Sequence, residues 1–97
     1  MTAVTYLLVA RLPAEGIAAF EEYERRVLGL LGVHGGRLAR RLRSADRLVE
    51  VHLVEFPSAE AYAAYRDDPR RGAHAELLEA SGAATELLEL YEASVCG

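Results

Sequence analysis

Arg41, Glu50 and His52 are the residues of this chain whose types and spacing could do chemistry. They fall in RLARRLRSADRLVEVHLVEF, Arg37 to Phe56, where the alternation of side chains reads as a β-hairpin. With the turn at Ala45-Asp46, Leu42 faces Val49, Arg40 faces Val51 and Leu38 faces Leu53, so one side is mostly apolar. The other side gathers Arg43, Arg41 and Ala39 opposite Leu48, Glu50 and His52, with Arg41 facing Glu50. A one-residue slip would scatter both sets, so the pattern itself argues for this register. It brings a guanidinium, a carboxylate and an imidazole within cross-strand reach. A carboxylate beside an imidazole raises its pKa and orients it as a general base requires, and a guanidinium can stabilise a developing oxyanion. The plainer reading is a structural ion-pair cluster that holds an interface.

Further candidates are weaker. Tyrosine is amphipathic and suits a pocket wall; Tyr6 shares the polar sheet face and is expected to touch a ligand. Tyr62 and Tyr65 share a helix face, so at least one is expected in the core. His34 precedes Gly35-Gly36 and reads as a loop residue or as part of a pocket mouth. His74 with Glu76 has the H-x-E form of zinc deaminases but lacks their P-C-x-x-C, and the three histidines have no ligand-like spacing. No metal is expected. No G-x-S-x-G and no glycine-rich phosphate loop is present, so hydrolase and nucleotide-binding readings have no support.

The elements that must position these residues follow from period and punctuation. Val4 to Leu12 is a strand, apolar on both faces and closed by Pro13, which places it at the centre of a sheet. From Glu15 to Leu31 the period becomes helical, with Ile17, Phe20, Val27, Leu28 and Leu31 on one stripe, and Gly32, Gly35 and Gly36 end it. After the hairpin, Phe56-Pro57-Ser58 stops the strand and Ser58 is the N-cap of a helix that ends near Asp67-Asp68-Pro69. Arg70 to Ala80 reads as another short helix, and Ala83 to Ala93 as a last strand. The order β-α-β-β-α-β is the ferredoxin-like α+β pattern, with both helical layers on one face of a four-stranded antiparallel sheet. The apolar side of the hairpin is expected under the helices. The polar side, with Tyr6, Leu8, Leu48 and Val54, is expected to be bare in the monomer and covered by a second copy.

Ninety-seven residues make one domain, residues 1–97, with a thin core. The chain is 52% hydrophobic, generous for its size, which again points to burial against a partner chain. Its net charge of −4 gives no reason to expect nucleic acid or a membrane surface. Five of the eleven arginines fall between Arg37 and Arg47, but strand alternation divides them and no aromatic stacking residue accompanies them. Cys96 is the only cysteine, so no internal disulfide is expected, and the absence of a leader or an apolar span points to the cytoplasm.

Four segments carry a family resemblance: YLLVARL from Tyr6, Phe20-Glu21-Glu22-Tyr23, His34 to Arg40, and Val54 to Ala61 with its EFPS-x-EA. Through them the chain resembles the dimeric α/β-barrel superfamily, in a bacterial branch of unknown function that neighbours the antibiotic-biosynthesis monooxygenases. The resemblance implies a homodimer with a pocket between sheet and helices in each subunit. It does not imply one activity, because that superfamily spans cofactor-free oxygenases, haem-degrading enzymes, lyases and non-catalytic proteins. Where many members of the branch carry an aromatic-rich W-Y-x-S-P-E-Y, this chain has Ala64 to Arg70. Residues and resemblance together allow two functions. One is a cofactor-independent oxygenase or proton-transfer enzyme acting on a small apolar or aromatic metabolite, with His52 as base, Glu50 orienting it and Arg41 stabilising charge. The other is a non-catalytic binding module whose polar cluster fixes the dimer.

Overall fold

Two antiparallel strands form the centre of the molecule: β1, Val4–Arg11, as expected from its apolar run, and β3, Val49–Phe56. The computed structural model describes residues 2–93. Strand β4, Ala84–Leu90, flanks β1, and β2, Arg37–Arg43, flanks β3, giving the order β2-β3-β1-β4 with every pairing antiparallel. Hence β1 runs parallel to β2 with β3 between them, and β3 parallel to β4 with β1 between them. Two such interleaved crossovers make the ferredoxin-like fold. Cys96 lies outside the described residues.

The first crossover is less continuous than helical periodicity predicts. A 3-10 turn at Ala14–Gly16 leads into α1, Ile17–Val27, and after Leu28-Gly29 a short α2 covers Leu30–Val33. Gly35 then takes a φ of +75°, a left-handed conformation that glycine adopts without steric penalty. The second crossover holds α3, Ala59–Arg66, whose first turn is capped by Ser58 accepting from the Ala61 amide at 3.1 Å. Asp68 caps α4, Pro69–Gly72, and α5 covers Ala75–Ala80, so the stretch expected as one helix breaks at Ala73-His74. One core cluster joins Tyr6, Val54, Phe56, Leu31 and Tyr65; another joins Ala10, Leu12 and Phe20. No helix among the described residues is long and apolar enough to cross a membrane.

The hairpin departs from its expected register by two residues. Arg43 pairs with Glu50, Leu42 with Val51, Arg41 with His52 and Arg40 with Leu53. The reason is a wider loop, Ser44 to Leu48. There Asp46 Oδ1 accepts from the Ser44 hydroxyl at 2.6 Å and from the Leu48 amide at 2.9 Å, and Arg47 takes a φ of +64°. An even shift preserves the period of two, so Arg41, Arg43, Glu50 and His52 still share a side. An irregularity between Leu38 and Arg40 then moves Leu38 opposite Val54 and onto the core.

The larger correction concerns which side the helices cover. Along β3 the buried residues are Glu50, His52, Val54 and Phe56, while Val49, Val51, Leu53 and Glu55 are only partly buried. The polar side of the hairpin, with Tyr6 and Val54, therefore lies beneath the helices. The aliphatic side, with Leu7, Val9, Val51, Leu53 and Leu88, is the one left open. Amphipathicity could not make this choice, because β1 is apolar on both sides. Crossover handedness selects the covered face. Burial of Glu50 and His52 is tolerable there because other side chains supply the compensating charge.

Candidate active site

Glu24 completes the buried polar cluster. It sits on the inward stripe of α1 among Phe20, Val27 and Leu28, and is 2% exposed. Its Oε2 lies 2.6 Å from His52 Nε2, and its Oε1 accepts from Arg41 Nη2 at 3.0 Å. Glu50 Oε1 lies 2.7 Å from the same His52 nitrogen and accepts from Arg41 Nε at 2.5 Å. Arg43 Nε donates to Glu50 Oε2 at 3.2 Å. One imidazole nitrogen thus faces two carboxylates, and two guanidiniums close the set from the solvent side.

The electrostatics follow from those contacts. Burial alone would push the Glu50 carboxyl up, but hydrogen bonds with His52, Arg41, Glu24 and Arg43 hold it down at about 2. Burial alone would lower the His52 imidazole, but contact with Glu24 and Glu50 outweighs this and raises it. With the imidazole raised, Nε2 carries a proton that faces both carboxylates, so this nitrogen donates and is not open to accept. Glu24 Oε2 is buried, and the His52 Nε2 at 2.6 Å is its one polar neighbour, in ion-pair contact without hydrogen-bond alignment. Glu24, Glu50 and His52 offer three ligand-type atoms within 4.8 Å of one another. A metal would have to spread atoms now in hydrogen-bond contact and compete with two arginines, so the set is better built to hold protons.

The cluster adjoins a cavity of about 220 Å³ between the sheet and the helices. Leu8, Phe20, Val54, Tyr62 and Tyr65 give it apolar walls, and its polar groups come from Glu24, His52, Thr85, Arg66 and Arg71. On the other side of Glu24 a polar cleft opens between Arg25, Arg41, Arg43 and Arg47. Glu24 therefore stands on the wall between an apolar chamber and a charged, outward-facing one.

The sequence candidates divide accordingly. Arg41, Glu50 and His52 come together, and Tyr62, Tyr65 and His52 line the cavity. Tyr6 packs behind the wall, its ring centroid 4.2 Å from that of Tyr62. His34 is elsewhere: its Nε2 pairs with Asp68 at 2.8 Å, tying the loop after α2 to the α3–α4 junction, where Arg70 also holds Asp68. His74 lies at the start of α5 and does not line the cavity. Sequence reasoning missed Glu24 and Arg71. A carboxylate on the apolar stripe of α1 was the available signal for Glu24; Arg71 had none. The arginine-rich hairpin is largely neutralised within the chain, with Arg37 on Glu55, Arg41 on Glu24 and Glu50, and Arg43 and Arg47 on Glu21.

Solved structures match the fold of this chain along almost its whole length. SnoaB of Streptomyces nogalater, a cofactor-independent oxygenase, is 18% identical, with a TM-score of 0.80 over 98% of this chain and 97% of that one. A candidate antibiotic biosynthesis monooxygenase from Nitrosomonas europaea is 14% identical, with a TM-score of 0.77 over 92% of this chain and 97% of that one. Another, from Caulobacter crescentus, is 14% identical, with a TM-score of 0.74 over 94% and 92%. The chain has the ferredoxin-like fold of these monooxygenase-like proteins. No family model and no curated protein matches its sequence. Within this fold, the buried cluster and its cavity lie between the sheet and the helices of the one chain.

Proposed function

We propose that this protein is a cofactor-independent enzyme that removes a proton from a small apolar or aromatic metabolite and passes the resulting carbanion to dioxygen. The observation that carries this reading is the buried Glu24–His52–Glu50 cluster beside an otherwise largely apolar cavity. The similarity of fold to a cofactor-independent oxygenase supports it. The acceptor is Glu24 Oε2, because His52 Nε2 holds its proton between the two carboxylates and cannot accept, and Glu24 is the carboxylate that lines the cavity. In the first step the substrate C–H bond breaks, an O–H bond forms on Glu24, and the electron pair stays on the substrate. Charged His52, with Arg41 behind it, favours that charge separation in a water-poor site. Transfer of an electron to dioxygen and recombination then form a C–O bond. The peroxide takes back the proton from Glu24, and loss of water leaves a ketone, so that CH₂ and O₂ become C=O and H₂O.

The open aliphatic face supports the second half of the reading, a homodimer formed by stacking two sheets. Leu42, Leu88 and Leu90 are exposed on it beside the partly buried Leu7, Val9, Val51 and Leu53. The binding-module alternative assigned the polar cluster to the subunit interface. Here it fastens α1 to its own sheet, which favours the enzymatic reading.

The test is oxygen uptake and solvent-deuterium exchange across a panel of hydroxy-aromatic ketones. The protein should turn over at least one of them, and Glu24→Gln should lower the rate by 10²-fold or more, the scale of a lost general base. Full activity in Glu24→Gln, or no exchange anywhere on the panel, would overturn the reading.

A further inference from the structure

Two buried side-chain polar atoms lack a hydrogen-bond partner among the described residues: Glu24 Oε2, an acceptor, and Arg71 Nε, a donor. Both residues line the same cavity. Buried polar groups are nearly always paired, and each exception calls for an explanation. Two complementary exceptions on the wall of one chamber call for a single one. Arg71 is also held in place. Its guanidinium carbon stands 4.9 Å from the centroid of the Tyr65 ring, and its Nη1 donates to the Arg66 carbonyl at 3.3 Å. Among the described residues it forms no ion pair, whereas the other arginine on this wall, Arg66, is paired with Asp67. The chamber therefore offers an oriented, uncompensated cation, a carboxylate oxygen that meets only the edge of His52, and aromatic walls from Phe20, Tyr62 and Tyr65.

We infer that the cavity is a two-point site for an aromatic hydroxy acid. The ligand's carboxylate accepts from Arg71 Nε, its ring packs among the tyrosines, and its hydroxyl donates to Glu24 Oε2. A small cavity of about 220 Å³ limits the ring system to one or two rings. This deepens the proposed function by naming its substrate class. It rests on that reading only in taking the bound acid for the substrate, with the reacting C–H beside the hydroxyl at Glu24; the anchoring by Arg71 stands on the geometry alone.

Binding, read by ligand fluorescence and by protein-detected NMR, tests it without turnover. The probes are 6-hydroxy-2-naphthoate, 2-naphthol, which lacks the carboxylate, and 2-naphthoate, which lacks the hydroxyl. The hydroxy acid should bind at least tenfold more tightly than either. Arg71→Gln should weaken 6-hydroxy-2-naphthoate and 2-naphthoate about tenfold and leave 2-naphthol unchanged, while Glu24→Gln should weaken the two hydroxylated probes. Arg71→Lys, which keeps the charge but loses the Nε donor, should fall between parent and Arg71→Gln, and a thermal melt confirms that each variant is folded. Failure of the hydroxy acid to bind at millimolar concentration, or equal affinity for all three probes, overturns the inference. Binding that follows Arg71 in a protein with no turnover preserves the inference and removes only the catalytic reading. Turnover of a neutral substrate that is indifferent to Arg71→Gln does the reverse.

Discussion

His52 on β3 and Glu24 on α1 meet at 2.6 Å, nitrogen to oxygen, with both side chains at most 4% exposed. This contact turns a cross-strand ion cluster into a helix-to-sheet joint. It also places Glu24 on the cavity wall, with Oε2 lacking an aligned hydrogen bond. The same residue pair thus links the stability of α1 to the chemistry assigned to the chamber.

Removing Glu24 should show both links. Glu24→Ala leaves the buried His52 with Glu50 alone and frees one contact of Arg41. Breaking a buried pair from one side costs roughly 3–5 kcal/mol, and because Arg41 is 37% exposed we expect the lower end, about 3 kcal/mol, by urea denaturation. Glu24→Gln keeps the shape and should cost less. If the two variants were equally stable to the parent, the joint would not be holding α1.

Stability should have a maximum in mildly acidic solution. Glu50, held at about 2 when folded against an ordinary 4.5, contributes stability that is present above about pH 4.5 and lost as pH falls towards 2. Asp68, held low by Arg70 and His34, adds to the same acid limb. His52 is raised, so its contribution is full below about pH 6.5 and is lost as pH rises through the folded value. Urea midpoints from about pH 2 to 9 should trace both limbs, and His52→Gln should flatten the alkaline one. A parent profile flat on the alkaline side would contradict the assignment.

Gly16 should resist any side chain. A Cβ built there would lie 1.8 Å from the Ser81 carbonyl oxygen, and at Gly36 it would lie 2.5 Å from Cε1 of the buried Phe56 ring. Gly16→Ala must therefore move backbone and Gly36→Ala must move a core ring, each costing about 1–3 kcal/mol. Gly29→Ala meets nothing within 4 Å and serves as the control in the same melts.

The open sheet face predicts assembly. Leu53→Arg would put a charge at the middle of the aliphatic patch while leaving the covered face untouched. Sedimentation should show a dimer for the parent at micromolar concentration and a monomer for the variant. A monomeric parent would remove the stacked-sheet reading.

The sequence by itself determined the order of elements, the central place of β1, the Ser58 cap, and the common side of Arg41, Arg43, Glu50 and His52, though not the side taken by Leu38. Each rests on local signals: a period of two or 3.6, a proline or glycine stop, a hydroxyl before a helical turn. The loop from Ser44 to Leu48 shifted the register by two without disturbing that set, because side-chain direction depends only on parity. Which side faced inward was decided only in three dimensions. Two apolar faces compete on β1, crossover handedness picks one, and the charges on Glu24, Arg41 and Arg43 make the polar choice affordable. The partnership of Glu24 with His52, and of Arg71 with the same cavity, was equally out of reach. It depends on how a helix and a crossover segment lie over the sheet, a relation between distant segments that no local period encodes.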